Sequence, residues 1–157
     1  MIFRKMTEDD ADLAAQLDKK CFSVPWSRQG FADALCAETN IFYGAFTKEG
    51  ELLGYCGMYT AADEGEITNV AVDPKQRGRG LAKQLVGRTM QAALEKGVRQ
   101  VFLEVRVSNL SAQAVYRDNG FVTCGIRKEF YRLPDEDALV MSYKRDAAVQ
   151  LQKDHIC

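Results

Sequence analysis

The sequence predicts one α/β (α+β) domain, in which a mixed central β-sheet carries helices. Short apolar, β-branched runs alternate with segments whose apolar residues recur every three or four positions, in the order βααβββαβαββ. The length of 157 residues suits a single domain, and no repeat or Pro/Gly-rich linker divides it. The content of 46% hydrophobic and 27% charged residues is typical of a folded protein. We expect the domain to cover residues 1–144 and a C-terminal tail to cover residues 145–157.

The N-terminal part predicts a strand followed by two helices. Residues 2–5 are typical of a strand. Thr7 and Asp10 resemble a helix cap, and the apolar residues after them have helical spacing. Ser27 is expected to cap the second helix, because a serine oxygen accepts a hydrogen bond from the first helical turn.

Three apolar runs follow and predict three consecutive strands. Residues 41–47 and 52–60 are joined by a four-residue segment containing Gly50, which has the length of a hairpin turn. The third run, residues 66–72, ends at Asp73-Pro74. Asp73 is therefore interpreted as a turn residue.

The C-terminal half predicts two helices and three strands. Apolar residues after Gly80 follow a 3.6-residue period, and Gly97 ends that helix. Ser108 or Asn109 begins the last helix, which closes at Asn119-Gly120. The strands are predicted over residues 101–105, 121–132 and 138–143.

Charge and hydropathy exclude several classes of partner. Lys plus Arg total 21 and Asp plus Glu total 22, so the formal net charge is -1 and no global field favours nucleic acid or anionic lipid. The longest uncharged stretch, residues 52–62, is much shorter than the roughly 18 residues that span a bilayer. We expect a cytoplasmic protein that binds neither nucleic acid nor membrane.

The cysteines and the histidine narrow the chemistry. The five cysteines are widely spaced and form no C-x-x-C, which favours free thiols and argues against a metal site. The only histidine, His155, lies two residues from the end of the chain, so Ser-His and Cys-His mechanisms lack a base. Catalysis would have to use carboxylates, tyrosine or the backbone.

The segment from Val70 to Lys83 predicts an anion-binding turn. A strand passes into a loop with two glycines and several cations, and a helix follows directly. Free N–H groups and the positive end of the helix dipole bind anions there, and glycine lets a phosphate approach the backbone. Neither a P-loop nor a G-x-G-x-x-G motif is present, so the turn is interpreted as a diphosphate cradle of another kind.

These residues resemble the GNAT acetyltransferases. Arg77-x-x-Gly80-x-Ala82 matches the family signature R/Q-x-x-G-x-G/A, and residues 103–109 and 112–121 match the second half of the family pattern. The resemblance covers nearly the whole chain. It implies the GNAT fold, with a mixed, mostly antiparallel central sheet of about seven strands flanked by about four helices, and acetyl-CoA as co-substrate.

Within that family, the chain resembles the bacterial ribosomal-protein-alanine N-acetyltransferases in residues 22–27, 127–131 and 136–141. That resemblance implies acetyl transfer to the N-terminal α-amine of a protein, possibly a ribosomal protein, with Glu104 as base and Tyr116 as acid. The coenzyme-binding residues that the two resemblances imply are Val70, Ala71, Val72, Arg77, Gly78, Arg79, Gly80, Leu81, Ala82, Lys83 and Asn109.

Residue chemistry supports these roles and leaves alternatives. A carboxylate can take a proton from an α-ammonium, and a phenol can donate one to the leaving thiolate. Glu66, near the start of the preceding strand, is an alternative base. Glu104 could instead be a surface carboxylate paired with Arg106, and Tyr116 could be a core residue.

Two other functions remain open. The acceptor could be a lysine side chain or a small amine, or the protein could bind acyl-CoA without catalysis, as a sensor or assembly partner. Trp26 and Tyr131 are candidates for shaping the acceptor groove. An exposed edge strand near the C-terminus could pair with a second copy, although the sequence does not determine the oligomeric state.

Overall fold

Seven strands form one mixed sheet in the computed structural model, which describes residues 1–145 of the chain. The sheet order is β1-β2-β3-β4-β5-β7-β6, and every neighbouring pair is antiparallel except β4 with β5. The strands are β1 (Ile2–Lys5), β2 (Ile41–Phe46), β3 (Leu52–Ala61), β4 (Glu64–Val72), β5 (Gln100–Arg106), β6 (Val122–Tyr131) and β7 (Glu136–Lys144). The helices are α1 (Ala11–Cys21), α2 (Arg28–Cys36), α3 (Leu81–Glu95) and α4 (Leu110–Asp118).

The predicted element order and the mostly antiparallel sheet are confirmed. Ser27 caps α2 by accepting a hydrogen bond from Gly30 N at 3.0 Å, and Asn109 caps α4. Gly50 has a φ of +90°, the left-handed conformation that the hairpin turn requires. The predicted tail, apart from Arg145, lies outside the described residues.

Most predicted strand boundaries differ from the structure by one or two residues, and two differences show why. β4 begins at Glu64 rather than at residue 66, because its first residues pair with the start of β5. The first predicted helix opens with a short 3₁₀ turn, Glu8–Asp10, in which Thr7 N donates to the Asp10 carboxylate at 2.8 Å. Both differences arise at strand or helix ends, where a few hydrogen bonds decide the assignment.

Each face of the sheet has its own buried core. Helices α3 and α4 pack on one face, over a cluster that includes Leu103 of β5 and Leu85 of α3. Helices α1 and α2 pack on the other face, over a cluster that includes Phe42 and Tyr55. Alternate residues of β5 are buried and partly exposed, so Glu104 lies on the α1/α2 face.

The α1/α2 layer covers only part of its face. It packs on the β1 to β4 side of the sheet, whereas β6 is exposed along almost its whole length. β6 is an edge strand, so an exposed edge lies near the C-terminal end of the described chain. Its pairing with a second copy stays a prediction.

The parallel strands β4 and β5 separate along their length. They pair over Glu64–Ile67 and Gln100–Leu103, and a bulge in β4 follows at Thr68. Beyond these four pairs, the rest of β4 and the end of β5 have no mutual ladder. The sheet therefore opens between its two central strands, where an extended ligand can find backbone hydrogen-bonding groups.

Within residues 1–145, no helix has the length and apolar character needed to span a membrane.

Candidate active site

The opening between β4 and β5 brings most of the predicted site residues together. Residues 70–72 form its β4 wall, beyond the last pairing with β5. Glu104 lies on the β5 wall, just after the last paired residue, Leu103. The predicted coenzyme strand and the predicted base therefore face the same split in the sheet.

The loop after β4 joins this split to the N-terminus of α3. Asp73 accepts a hydrogen bond from Lys75 N at 3.0 Å, which confirms its role as a turn residue. Arg77 Nε donates to the carbonyl oxygen of Val72 at 3.2 Å, so the loop folds back on the end of β4. Gly78 and Gly80 have φ angles of +82° and +76°, which strongly favour glycine.

The remaining loop residues divide into core and surface. Leu81 is buried in the core, so its backbone N–H rather than its side chain is available to a ligand. Ala82 packs partly against the same core. Arg79 and Lys83 are exposed, and the Lys83 ammonium lies 3.8 Å from the Asp118 carboxylate. The structure thus places exposed cations around a helix start that follows two glycines with positive φ angles.

Asn109 lies across the opening at the start of α4. Its Oδ1 accepts a hydrogen bond from Ala112 N at 3.1 Å. Among residues 1–145, its amide N–H groups have no hydrogen-bond partner, so they are available to donate to a ligand.

Glu104 forms an ion pair that the sequence did not predict. Arg127 Nη1 of β6 lies 3.0 Å from Glu104 Oε1, and the Glu104 side chain is only 16% exposed. The alternative interpretation, a surface carboxylate paired with Arg106, is wrong in its partner. Arg106 instead pairs with Glu136 at 3.2 Å and donates to the carbonyl oxygen of Pro134 at 2.8 Å, which turns it toward the β6–β7 connection.

Glu66 lies on the same face as Glu104, so the two candidate bases share one site. Partial burial raises the pKa of Glu66, and the charge and hydrogen bonding of Glu104 raise it further. The Arg127 guanidinium acts in the opposite direction. Sequence reasoning treated the two glutamates as alternatives, but the parallel pairing of β4 and β5 makes them neighbours.

A groove of about 780 Å³ runs from these carboxylates toward α2. The end of β3, the start of β4, the middle of β5 and the side chain of Arg127 complete its walls. Its acidic residues are Asp33, Glu64, Glu66 and Glu104. The groove can therefore hold a cationic group beside the two candidate bases.

Tyr116 lies on the opposite face of the sheet from the carboxylates, in the core beneath α3 and α4. It is 7% exposed and its ring packs edge-on against Phe121 at 5.9 Å. Burial raises the pKa of its phenol, and the nearby Cys56 and Tyr131 raise it further. The raised pKa keeps the phenol protonated at neutral pH. Within the described chain no group hydrogen-bonds the hydroxyl, so it is free to donate. It is a core residue in packing, as one interpretation expected, and keeps its hydroxyl available.

The candidate acceptor-groove residue Tyr131 lies near Glu104, and Trp26 lies against the groove wall. Burial, and then the charge of Glu104, raise the pKa of Tyr131 to about 12, and the Arg106 guanidinium stacks on its ring at 4.5 Å. Trp26 packs against Tyr59, a residue of the groove wall, with ring centroids 6.2 Å apart.

A buried carboxylate beneath Trp26 was not predicted. Asp18 accepts hydrogen bonds from Trp26 N at 3.0 Å and from the Tyr55 hydroxyl at 2.5 Å. It therefore ties the α1–α2 connection to β3. One signal was available in the sequence, because Asp18 occupies a position on the apolar stripe of α1 beside Ala14 and Leu17.

Within residues 1–145, no cluster of His, Cys, Asp and Glu has the arrangement of a metal site.

Comparison with known proteins points to one family. The model of the acetyltransferase (GNAT) family matches residues 11–121. A Bacillus subtilis protein, named as a candidate ribosomal protein bS18-alanine N-acetyltransferase, is 37% identical over 138 residues, which cover 88% of this chain and 91% of that protein. The N-alpha-acetyltransferase RimI of Mycobacterium tuberculosis is 35% identical over 148 residues, with 90% of each chain covered.

A solved structure supports the same relationship. The crystal structure of the ribosomal-protein-S18-alanine N-acetyltransferase from Escherichia coli superposes with a TM-score of 0.84. The two chains are 28% identical, and the match covers 93% of this chain and 95% of the other.

Proposed function

Because this chain belongs to the GNAT family of N-acetyltransferases, we propose that it transfers the acetyl group of acetyl-CoA directly to the N-terminal α-amine of a ribosomal protein. The observation that carries the proposal is the split between β4 and β5, with a carboxylate pair on one face of the sheet and the Tyr116 phenol buried on the opposite face. The names and coverage of the relatives support the acceptor class.

The β4 wall and the start of α3 are suited to hold acetyl-CoA. The backbone of residues 70–72 has lost its β5 partner, so it can hydrogen-bond the extended pantetheine arm. The diphosphate would then meet the N–H groups of residues 78–83, with Arg77 and Lys83 beside it. Asn109 would donate its free amide N–H from the other wall.

Glu104 is proposed as the general base, with Glu66 sharing its proton. An α-ammonium has a pKa near 7.7 to 8.0, so a nearby carboxylate needs to assist only modestly at neutral pH. The two glutamates interact, so the proton taken from the amine belongs to the pair rather than to one residue.

Tyr116 is proposed as the general acid. The neutral amine attacks the thioester carbonyl carbon, a C–N bond forms, and the C–S bond breaks with its electron pair on sulfur. The Tyr116 hydroxyl gives its proton to that thiolate and regains one as the product nitrogen loses its second proton. Two protons leave the ammonium, one ends on the thiol, and one is released to solvent.

The acetyl group moves in one step in this proposal, without a covalent enzyme intermediate. A lysine acceptor, with a pKa near 10.4, would require a stronger base than an α-amine does. A ribosomal-protein acceptor also agrees with the cytoplasmic location and free thiols expected from the sequence.

The experiment that tests this function measures thiol release from acetyl-CoA with two peptides. One has a free N-terminal alanine and no lysine, and the other is N-terminally blocked and contains lysine. Turnover with the first peptide alone supports the proposal. Turnover with the lysine peptide alone assigns the acceptor to side chains, and coenzyme binding without turnover on any amine assigns a non-catalytic role.

A further inference from the structure

Arg127 is the only basic residue among the described residues that line the acidic groove. Its guanidinium lies 3.0 Å from Glu104 Oε1, although Arg127 belongs to β6, at the edge of the sheet. β7 lies between β6 and β5, so the side chain must pass over a complete strand to reach Glu104. Water could solvate an exposed arginine on an edge strand, so the ion pair with a residue two strands away indicates that the local structure directs Arg127 inward.

The local structure holds Arg127 in this position. Ala138 of β7 pairs with both Arg106 and Arg127, and its small, fully buried side chain leaves room above it. The ladder between β6 and β7 becomes irregular immediately after Arg127. The ring of Phe130, in that irregular segment, lies 5.4 Å from the guanidinium. The arginine is therefore directed inward at the point where its strand changes course.

The guanidinium contacts Oε1 of the Glu104 carboxylate, the group with which a cationic substrate would interact. An α-ammonium that gives a proton to Glu104 must come within hydrogen-bond distance of the carboxylate that Arg127 now contacts. The two cations therefore compete for one carboxylate. The Arg127 side chain is 59% exposed, so it can move toward solvent at little cost.

We propose that Arg127 is a positioning residue that neutralises the Glu104 and Glu66 carboxylates until the acceptor's α-ammonium takes its place at Glu104. This inference rests on the proposed function of the site. It adds to that function a resident counter-ion that the acceptor replaces, so that the charges of the two carboxylates are offset while the groove holds no amine.

The charge balance around the pair gives the physical reason. Two neighbouring carboxylates without a cation share a proton, which removes one of them as a base. The charged or titratable groups that face the pair are Glu64 on β4, Arg106 on β5, Arg127 and Tyr131 on β6, Tyr59 on β3 and Asp33 on α2. Of these, Arg106 is engaged by Glu136, so Arg127 is the cation directed at the pair.

Removal of the Arg127 charge should shift the pH profile in one direction. Arg127 lowers the pKa of Glu66, so removing its charge raises that pKa further. Glu66 then keeps its proton at pH values where it is ionised in the wild-type protein. The acid limb of the pH profile of kcat/KM should therefore move to higher pH.

The test compares Arg127→Gln and Arg127→Lys with wild type on the acceptor peptide, from pH 5.5 to 9. For Arg127→Gln we expect kcat/KM to fall about three- to fivefold more at pH 6 than at pH 8.5, the size expected for an exposed ion pair. Arg127→Lys should restore the wild-type limb because it restores the charge. Above pH 8, the KM of Arg127→Gln for the peptide should equal or fall below the wild-type KM, since the competing cation is gone.

Arg132→Gln is the matched control. Arg132 is an exposed arginine just after β6 that pairs with Asp135 at 3.8 Å, outside the groove. Its profile should superpose on that of wild type.

Three results would overturn the inference: an unchanged acid limb in Arg127→Gln, a loss of activity equal at every pH, or a limb that lysine fails to restore. The wild-type peptide comparison decides the acceptor class separately. The ratio of variant to wild type is then measured on whichever amine is acetylated, so failure of the proposed function and failure of the Arg127 role give different results.

Discussion

Glu104 and Glu66 stand on neighbouring parallel strands, and their charges interact, so in the proposed mechanism they act as one acid–base unit rather than as competing candidates. Tyr116 complements them from the opposite side, since burial keeps its phenol protonated at neutral pH.

Glu104→Gln and Tyr116→Phe test the two proposed proton-transfer roles. Glu104→Gln should lower kcat by about 10² to 10⁴, the usual contribution of a positioned base, and Tyr116→Phe by about 10². Both changes keep the side-chain shape, so the folded state should persist. Thiol-release kinetics measure the loss, and circular dichroism checks the fold.

Glu66→Gln provides the comparison for Glu104→Gln. It should reduce kcat less, because it removes the residue that shares the proton rather than the residue that takes it. A larger loss in Glu66→Gln than in Glu104→Gln would assign the base to Glu66. Unchanged rates in both glutamine variants would contradict a carboxylate base.

Asn69 gives a prediction about stability. Its side chain is 8% exposed, and its Oδ1 has no hydrogen-bond partner among residues 1–145. A buried polar atom without a partner costs free energy, and an apolar residue of similar size removes that cost. The Asn69 side chain also hydrogen-bonds the Tyr55 hydroxyl, and losing that bond offsets the gain. We therefore expect Asn69→Leu to leave the free energy of unfolding unchanged to within about 0.5 kcal/mol, as measured by urea unfolding.

Asn40→Leu is the matched control for that measurement. The Asn40 amide donates to the carbonyl oxygen of Ala34 at 2.9 Å, so its replacement should lower the free energy of unfolding by about 1 kcal/mol. Equal destabilisation in the two variants would show that the unpartnered Oδ1 of Asn69 costs too little to offset the bond to Tyr55.

At the scale of elements, the turn from β4 into α3 carries the coenzyme prediction. Gly80 precedes α3 with a φ of +76°, and no atom lies within 4 Å of where its Cβ would be. A methyl group there would meet no protein atom. Its effect comes from the left-handed backbone and from the space that a phosphate needs.

Gly80→Ala should therefore weaken coenzyme binding as well as the fold. We expect a loss of about 1 to 2 kcal/mol in the free energy of unfolding from the left-handed backbone. We also expect the KM for acetyl-CoA to rise about tenfold, because the methyl group stands where phosphate approaches the helix start. Steady-state kinetics and urea unfolding measure the two effects separately.

Gly50→Ala separates these contributions. Gly50 has a φ of +90° and equally open surroundings, but it lies in the β2–β3 hairpin turn. Its replacement should cost similar stability and leave the KM for acetyl-CoA unchanged. An equal rise in KM for both variants would mean that lost stability, rather than the phosphate cradle, explains the effect.

At the scale of the whole molecule, the central opening is a weak point in the sheet. Only four residue pairs join β4 to β5, and they link the antiparallel half β1 to β4 with the half formed by β5, β7 and β6. A ligand that hydrogen-bonds both walls would replace the missing ladder. Binding should therefore stabilise the entire fold rather than one loop.

Coenzyme A should accordingly raise the melting temperature. At a concentration of about 100 times Kd, ligand binding adds about 2.7 kcal/mol, which corresponds to roughly 5 to 10 °C for a chain of this size. Differential scanning calorimetry measures the shift. Pantetheine, which lacks the diphosphate, should produce a smaller shift at the same concentration, and equal shifts would argue against the phosphate cradle.

Much of the fold could be predicted from the sequence, because the information is local. Hydrophobic periods of 2 and 3.6 residues, the caps Ser27 and Asn109, and the hairpin glycine Gly50 each depend on a few neighbouring residues. The glycines and cations before α3 likewise identify an anion-binding turn within a dozen residues. The resemblance to an acetyltransferase family then associated Glu104 and Tyr116 with catalysis.

The arrangement of charges in the site was decided by tertiary structure alone. Glu66, Glu104 and Arg127 come from three strands, and 23 positions separate the two members of the ion pair. No local pattern indicates that Arg127 rather than Arg106 reaches Glu104, since Arg106 is two residues from Glu104 on the same strand and Arg127 lies two strands away. The sequence by itself determined which elements form and which residue types can catalyse. The sheet order and the separation of β4 from β5 decided which charges meet, because contacts between distant strands depend on pairing rather than on local preference.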